Sequence, residues 1–166
     1  MKRAVEKKLV VVILFMICCL TVHSQSTAGI TGIPDTSYSI AKEYEKLRKD
    51  YPFIQIPSFS SKGITERKEI VYCSAGKRKL RLDAFFPTKK TSGKRTAVVM
   101  IHGGGWRTGN KSMHHPLAQR LADLGYVCFT PEYRLSTEAL YPAAVYDLKA
   151  ALRWVHANAA AYQIDT

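Results

Sequence analysis

Acidic side chains are scarce in this sequence of 166 residues: 13 Asp and Glu stand against 25 Lys and Arg, a formal net charge of +12. Such a balance raises nucleic acid as a partner. The basic residues are scattered, however, as at Lys77-Arg78-Lys79 and Lys89-Lys90, and no stripe of basic and aromatic side chains interleaves. A solvated basic surface with no nucleic-acid partner is the expectation. Cysteine is sparse as well. Of four, Cys18 and Cys19 fall in an apolar leader, and Cys73 and Cys128 each sit within an expected strand. A disulfide between these two and a pair of free thiols both stay open. No Cys or His pair has ligand spacing, and the adjacent His114 and His115 would point about 100° apart on a helix. Neither a metal nor another cofactor is expected. Long apolar runs are missing too. The longest, Leu9 to Leu20, has twelve residues, a rise of about 18 Å against a hydrocarbon core of roughly 30 Å. That argues against a stable membrane anchor.

The residues flanking this run give it another meaning. Lys2, Arg3, Lys7 and Lys8 precede it, and Val22-His23-Ser24 follows, with small residues at positions −3 and −1 of a cut before Gln25. Basic, apolar and small-residue regions in that order form a secretory signal peptide. Residues 1–24 are therefore expected to be removed near Ser24/Gln25, leaving a secreted or periplasmic chain of charge about +9. Cys18 follows Phe15-Met16-Ile17, not the small residues that precede a lipid-modified cysteine. The remainder, in a chain 46% hydrophobic and 23% charged, has a globular composition.

Residues 25–63 are expected to form an N-terminal extension. Within it, Ile40, Tyr44, Leu47 and Tyr51 recur at helical spacing, with Ser37 or Ser39 as cap and Pro52 as stop. Such an amphipathic helix must pack on something. Residues 64–166 change character. Ile70 to Cys73, a turn at Ser74 to Lys77, and Leu80, Leu82, Ala84 and Phe86 predict a β-hairpin. Ala97 to Ile101 is a continuous apolar run, as in a strand buried on both faces. Ser112 then caps a predicted helix with Leu117, Leu121 and Leu124 on one face and Gly125 as its stop. Tyr126 to Thr130 predicts another buried strand. The last predicted helix runs to about Ala161 with Ala144, Leu148, Ala151, Leu152 and Val155 as its stripe. Hairpin, strand, helix, strand, helix is an α/β order in which a doubly wound parallel sheet is entered through an antiparallel pair. Three principal strands are too few to close such a core, so an incomplete domain is expected.

His102-Gly103-Gly104-Gly105-Trp106 follows the apolar run directly, at the strand end where open α/β sheets place their ligands. Consecutive glycines let the backbone turn sharply and approach a ligand closely. Their N–H groups can converge on a developing alkoxide, each donor being worth roughly 3 kcal/mol in the transition state. The segment lacks the Lys-Ser/Thr ending of a phosphate-binding loop and the spacing of a dinucleotide loop.

Here the sequence resembles the α/β-hydrolase superfamily, in the branch of carboxylesterases and lipases with a His-Gly-Gly-Gly motif. With Trp106 it looks most like bacterial carbohydrate acetyl and feruloyl esterases, and secondarily like kynurenine formamidases. Glu132-Tyr133-Arg134-Leu135-Ser136 is similar to the Tyr-Arg-Leu turn of those enzymes. Tyr141-Pro142-Ala143-Ala144, Asp147, Ala150-Ala151 and Arg153-Trp154-Val155 are similar to the helix before their nucleophile strand. The resemblance covers about Ile70 to Asp165. It implies that Gly103, Gly104 and Gly105 supply an oxyanion hole, the first two as preferred donors, and that His102 braces the loop without being the catalytic base. Trp106 would line the pocket mouth or pack under the loop. Arg134 and Asp147 would form a structural pair, Asp147 being no triad acid. The implied activity is secreted ester hydrolysis on a small-molecule or polysaccharide ester.

No Gly-x-Ser-x-Gly occurs in the chain. The resemblance places Ser, Asp and His beyond Thr166, the serine about ten residues on. Ser112 and Ser136 lack the strand–turn–helix setting that exposes a nucleophile, so this polypeptide alone is expected to be inactive. A non-catalytic secreted binding module, and an amidase or peptidase on the same fold, stay open as alternatives.

Overall fold

The computed structural model describes residues 29–166; the expected signal peptide and its cleavage point lie outside them. Helix α1 (Ile40–Leu47) is capped by Ser39, whose hydroxyl accepts from the Lys42 amide at 3.2 Å. It ends before Tyr51, and none of its residues is buried among the described residues. The expected docking of its apolar face is thus not seen there.

The hairpin joins β1 (Ile64–Ala75) to β2 (Arg78–Pro87) through Gly76, which takes the positive φ the tight turn requires. The register of β1 shifts between Arg67 and Ile70, and Glu69 sits at φ 61° in this bulge. Two further strands, β3 (Ala97–Val99) and β4 (Val127–Pro131), complete a sheet of order β1-β2-β4-β3. β4 runs antiparallel to β2 and parallel to β3, the mixed α/β arrangement that the element order predicts. β4, not β3, is the strand buried along its whole length. The apolar run at 97–101 yields only three strand residues, all half-buried, and Ile101 is 45% exposed. Among the described residues β3 has β4 on one side, and on the other the nearest pairing is a parallel bridge between Ile164 and Arg95, just ahead of the strand.

Alternation along β2 sends Leu80, Leu82 and Ala84 to one face and Asp83 and Phe85 to the other, all fully buried. On the first face they join Val127 and Phe129 beneath α3 (Ala143–Ala157) and α4 (Ala159–Tyr162), through Ala151, Val155 and Tyr162. On the second, Phe85 and Cys128 meet α2 (His115–Asp123) through Ala118 and Ala122. Burying Phe85 and Phe129 is worth about 1.5–3 kcal/mol each. Helices therefore cover both faces of the sheet.

Three helix expectations need correction. Leu117 and Leu124 are exposed, because alanines let α2 approach the sheet closely, and only Leu121 of the three leucines joins the core. Leu152 is exposed on α3, while Asp147 is buried among the apolar stripe. Ser112 is not the cap: the Asn110 side chain accepts from the Ser112 amide and opens a short 3₁₀ turn, Lys111–His114, ahead of α2. α3 stops at Asn158, whose side-chain amide donates to the Trp154 carbonyl at 2.8 Å. Cys73 and Cys128 are both free thiols, on strands separated by β2. Burial pushes the Cys128 thiol up to about 11.

Candidate functional site

Beyond β3, the Met100 amide still donates to the Phe129 carbonyl at 2.8 Å, and the chain then leaves the sheet as a loop. Gly103, Gly104 and Gly105 are exposed, and their amides donate to no acceptor among the described residues. Only solvent or a ligand can satisfy them. The loop's own geometry is tightly determined. Gly104 sits at φ 126°, and a Cβ there would lie 2.0 Å from the Thr108 carbonyl oxygen. The Gly104 carbonyl accepts from the Arg107 and Thr108 amides at 3.2 and 3.1 Å. Gly109, at φ 100°, presses back on the loop's entrance: a Cβ there would lie 2.5 Å from the Gly103 oxygen and 2.8 Å from His102 Nδ1. The segment from 102 to 109 is thus a closed circuit of backbone.

His102 is 3% exposed. Its ring stacks on Tyr133 with centroids 4.4 Å apart, Nδ1 lies 2.9 Å from the Gly103 oxygen, and the Tyr133 hydroxyl donates to the His102 carbonyl at 2.8 Å. Burial, opposed by the contact with Gly103, holds the imidazole below its ordinary value. A neutral ring turned into the loop is suited to shaping the backbone. Trp106 adopts φ 63° and is half-exposed, its ring 5.5 Å from that of Tyr133, while its carbonyl accepts from the Ser136 amide at 2.8 Å. It forms one wall of a hollow of about 290 Å³ whose other walls include Arg134, Tyr141, Pro142 and Val145. The three glycines are not among its walls.

Arg134 and Asp147 meet as a bidentate pair. Arg134 Nε donates at 2.9 Å to Asp147 Oδ2, the second guanidinium nitrogen at 2.8 Å to Oδ1, and the Arg134 amide at 3.0 Å to Oδ2. That bonding raises the Arg134 pKa, and Asp147 is 2% exposed. The turn after β4 is thereby fixed to α3.

Two polar clusters escape sequence reasoning. Arg78 binds Glu132 at 3.0 Å and the nearly buried Glu138 at 2.8 Å, tying the hairpin's turn to the segment after β4. Asp83, fully buried, receives Lys111 Nζ at 2.7 Å on both oxygens and the Glu69 amide at 2.8 Å, and His115 Nε2 lies 2.9 Å from Oδ2 without the alignment of a hydrogen bond. Burial works against ionisation of Asp83, but the adjacent His115 and Lys111 and the Glu69 amide together hold its carboxyl at about 2. The available signal was a single carboxylate in an otherwise apolar strand segment, Leu82 to Phe86.

A strand order of β1-β2-β4-β3, with helices on both faces and a glycine loop leaving β3, defines an α/β-hydrolase fold. The BD-FAE profile matches residues 82–166, just over half of the chain, and the chain belongs to that family. Among curated relatives, it is 39% identical over 77 residues to the probable carboxylic ester hydrolase LipM of Mycobacterium tuberculosis, covering 46% of this chain and 18% of the relative. It is 30% identical over 109 residues to esterase LipQ of the same organism, covering 64% of this chain and 26% of LipQ. The carboxylesterase NlhH, also from M. tuberculosis, is 45% identical over 64 residues, 38% of this chain and 20% of the relative. The chain thus spans about a fifth to a quarter of these relatives. Among solved structures, a bacterial heroin esterase superposes with TM-score 0.56 at 28% identity, over 75% of this chain and 38% of that one. The Est2 esterase of Thermogutta terrifontis gives 0.55 at 29%, over 63% and 37%. Esterase B of Lactobacillus rhamnosis, at 23% identity and TM-score 0.59 over 75% and 38%, shares the fold.

Proposed function

We propose that this chain provides the oxyanion-binding part of a secreted carboxylic ester hydrolase whose serine nucleophile lies outside the present sequence. The observation that carries the reading is the run of unbonded amides at Gly103, Gly104 and Gly105, exposed just past the carboxyl end of β3 in a loop closed on itself through the Gly104 carbonyl. In the reaction, the serine Oγ attacks the ester carbonyl carbon and the carbonyl oxygen becomes an alkoxide. The amides of Gly103 and Gly104 donate to it, with Gly105 adjacent. The alcohol leaves with a proton, and water then releases the carboxylic acid from the acyl-enzyme. His102 does not move that proton, because its ring is buried and turned into the loop. Membership of the BD-FAE family, the names of the relatives and the leader-like first 24 residues support an exported esterase. Within that class, acetyl or feruloyl esters of polysaccharide are our preferred substrates, on the family resemblance carried by Trp106.

The full-length protein is expected to turn over p-nitrophenyl acetate, to release acetate or ferulate from esterified xylan, and to be blocked by a serine-directed organophosphate at one equivalent. Residues 25–166 alone should turn over neither. Hydrolysis by the short polypeptide would overturn the assignment of the nucleophile, and an inert full-length protein would overturn the esterase reading itself. Amino-terminal sequencing of the exported protein should begin at Gln25.

A further inference from the structure

Three features converge on Lys111, two residues beyond the end of the closed loop. The bulge in β1 places Glu69 in a left-handed conformation, with its carboxylate against Lys111 and its amide on Asp83. Asp83 is fully buried on β2 and takes Lys111 on both oxygens. The 3₁₀ turn and the start of α2 then bring Lys111, 14% exposed, and His115 onto the same carboxylate. Phe85 packs its ring 5.0 Å from that of His115, and Arg81 Nε lies 3.5 Å from the Glu69 carboxylate.

Burying the Asp83 and Lys111 charges is costly, and a contact between a hairpin and a helix is met at lower cost by apolar side chains. What an ion cluster adds is a single permitted geometry. The geometry it fixes is that of Lys111. From there the backbone leads two residues back to Gly109, which rests on the Gly103 oxygen and His102 Nδ1. It leads next to Thr108 and Arg107, whose amides hold the Gly104 carbonyl.

We propose that Asp83, acting through Lys111, is a positioning residue for the amides of Gly103 and Gly104, the cluster of Asp83, Lys111, Glu69 and His115 being the far anchor of the glycine loop. The inference deepens the ester-hydrolase reading, and its kinetic arm rests on it. A displaced anchor moves Gly109 off Gly103 and turns the donors away from the place where charge develops, and small misplacements of this kind cost rate more than binding.

The test uses the full-length protein with Lys111→Met, Lys111→Arg and Asp83→Asn, read by residue-resolved hydrogen exchange and by p-nitrophenyl acetate kinetics. In Lys111→Met, exchange of the Arg107 and Thr108 amides should rise at least about tenfold while β4 amides stay within about twofold, and kcat should fall at least about tenfold with KM within about twofold. Lys111→Arg, which keeps the charge, should recover both to within about threefold. Asp83→Asn should reproduce the Lys111→Met pattern; if it fails to fold, Lys111→Met decides. Unchanged exchange at Arg107 and Thr108 in Lys111→Met, or a rise shared equally by β4, would overturn the anchor. A wild-type protein with no turnover would instead sink the esterase reading, and the exchange arm would still judge the anchor.

Discussion

Three consecutive glycines look interchangeable in a sequence, but their surroundings separate them. Gly103 has open space where a Cβ would go, and Gly104 has the Thr108 carbonyl at 2.0 Å. In the full-length protein Gly103→Ala should keep kcat/KM within about tenfold, since the amide survives, whereas Gly104→Ala should lower it about a hundredfold or more. Parallel kinetics on the two variants check this, and equal losses would contradict the loop geometry. The motif His102 to Trp106 was legible because five adjacent residues spell it. Gly109 was not, because its reason is a contact with residues six and seven positions back. The Arg134–Asp147 pair was legible only through the family resemblance. Asp147→Ala strips acceptors from the Arg134 guanidinium and amide, and should cost about 2–3 kcal/mol in urea unfolding. Arg134→Lys should lose part of this, because an ammonium cannot make the two-pronged contact.

The helices teach a different lesson. Leu117, Leu121 and Leu124 have the spacing of a buried stripe, yet α2 turns His115, Ala118 and Ala122 toward Phe85 and Cys128. Two periodic sets competed, and size decided: alanines admit the closer approach to the sheet. Ala118→Leu should therefore destabilise by about 1–3 kcal/mol through overpacking, and Leu117→Ala should stay within about 0.5 kcal/mol, as read from thermal melts. The contact between β2 and α2 also carries a pH signature. The Asp83 carboxyl is held at about 2 against an ordinary 3.8. Its folded value is depressed, so its contribution of about 2 kcal/mol is present above the ordinary value and lost as pH falls from about 4 toward 2. Urea midpoints measured from pH 7 to pH 2 should fall less steeply in Asp83→Asn than in the wild type. The apolar periodicity of β2 was legible, and the role of its one carboxylate was not, since the partners at 69, 111 and 115 are assembled by the bulge and the 3₁₀ turn.

At the scale of the molecule, the order of elements spelled out the α/β class, but no run of residues states that β3 lies outermost among the described strands. That follows from the order in which strands pair, with β4 inserted between β2 and β3. Among the described residues the outer side of β3 itself carries no strand partner, the bridge at Arg95 preceding it, and Ile101, Trp106, Tyr141, Tyr146 and Leu152 are 45–75% exposed. Residues 25–166 in isolation should bind a hydrophobic dye such as ANS and self-associate at micromolar concentration. A dye-silent monomer in sedimentation would contradict this. The meeting of Gly109 with Gly103 has one more consequence. It sets the number of residues between them, so the circuit has no slack for an insertion or a deletion. Variation in what the loop faces must then come by exchanging side chains at 106 and 107 or by reshaping the segment from Ser136 to Tyr141, and a library that alters loop length at this point should be mostly dead.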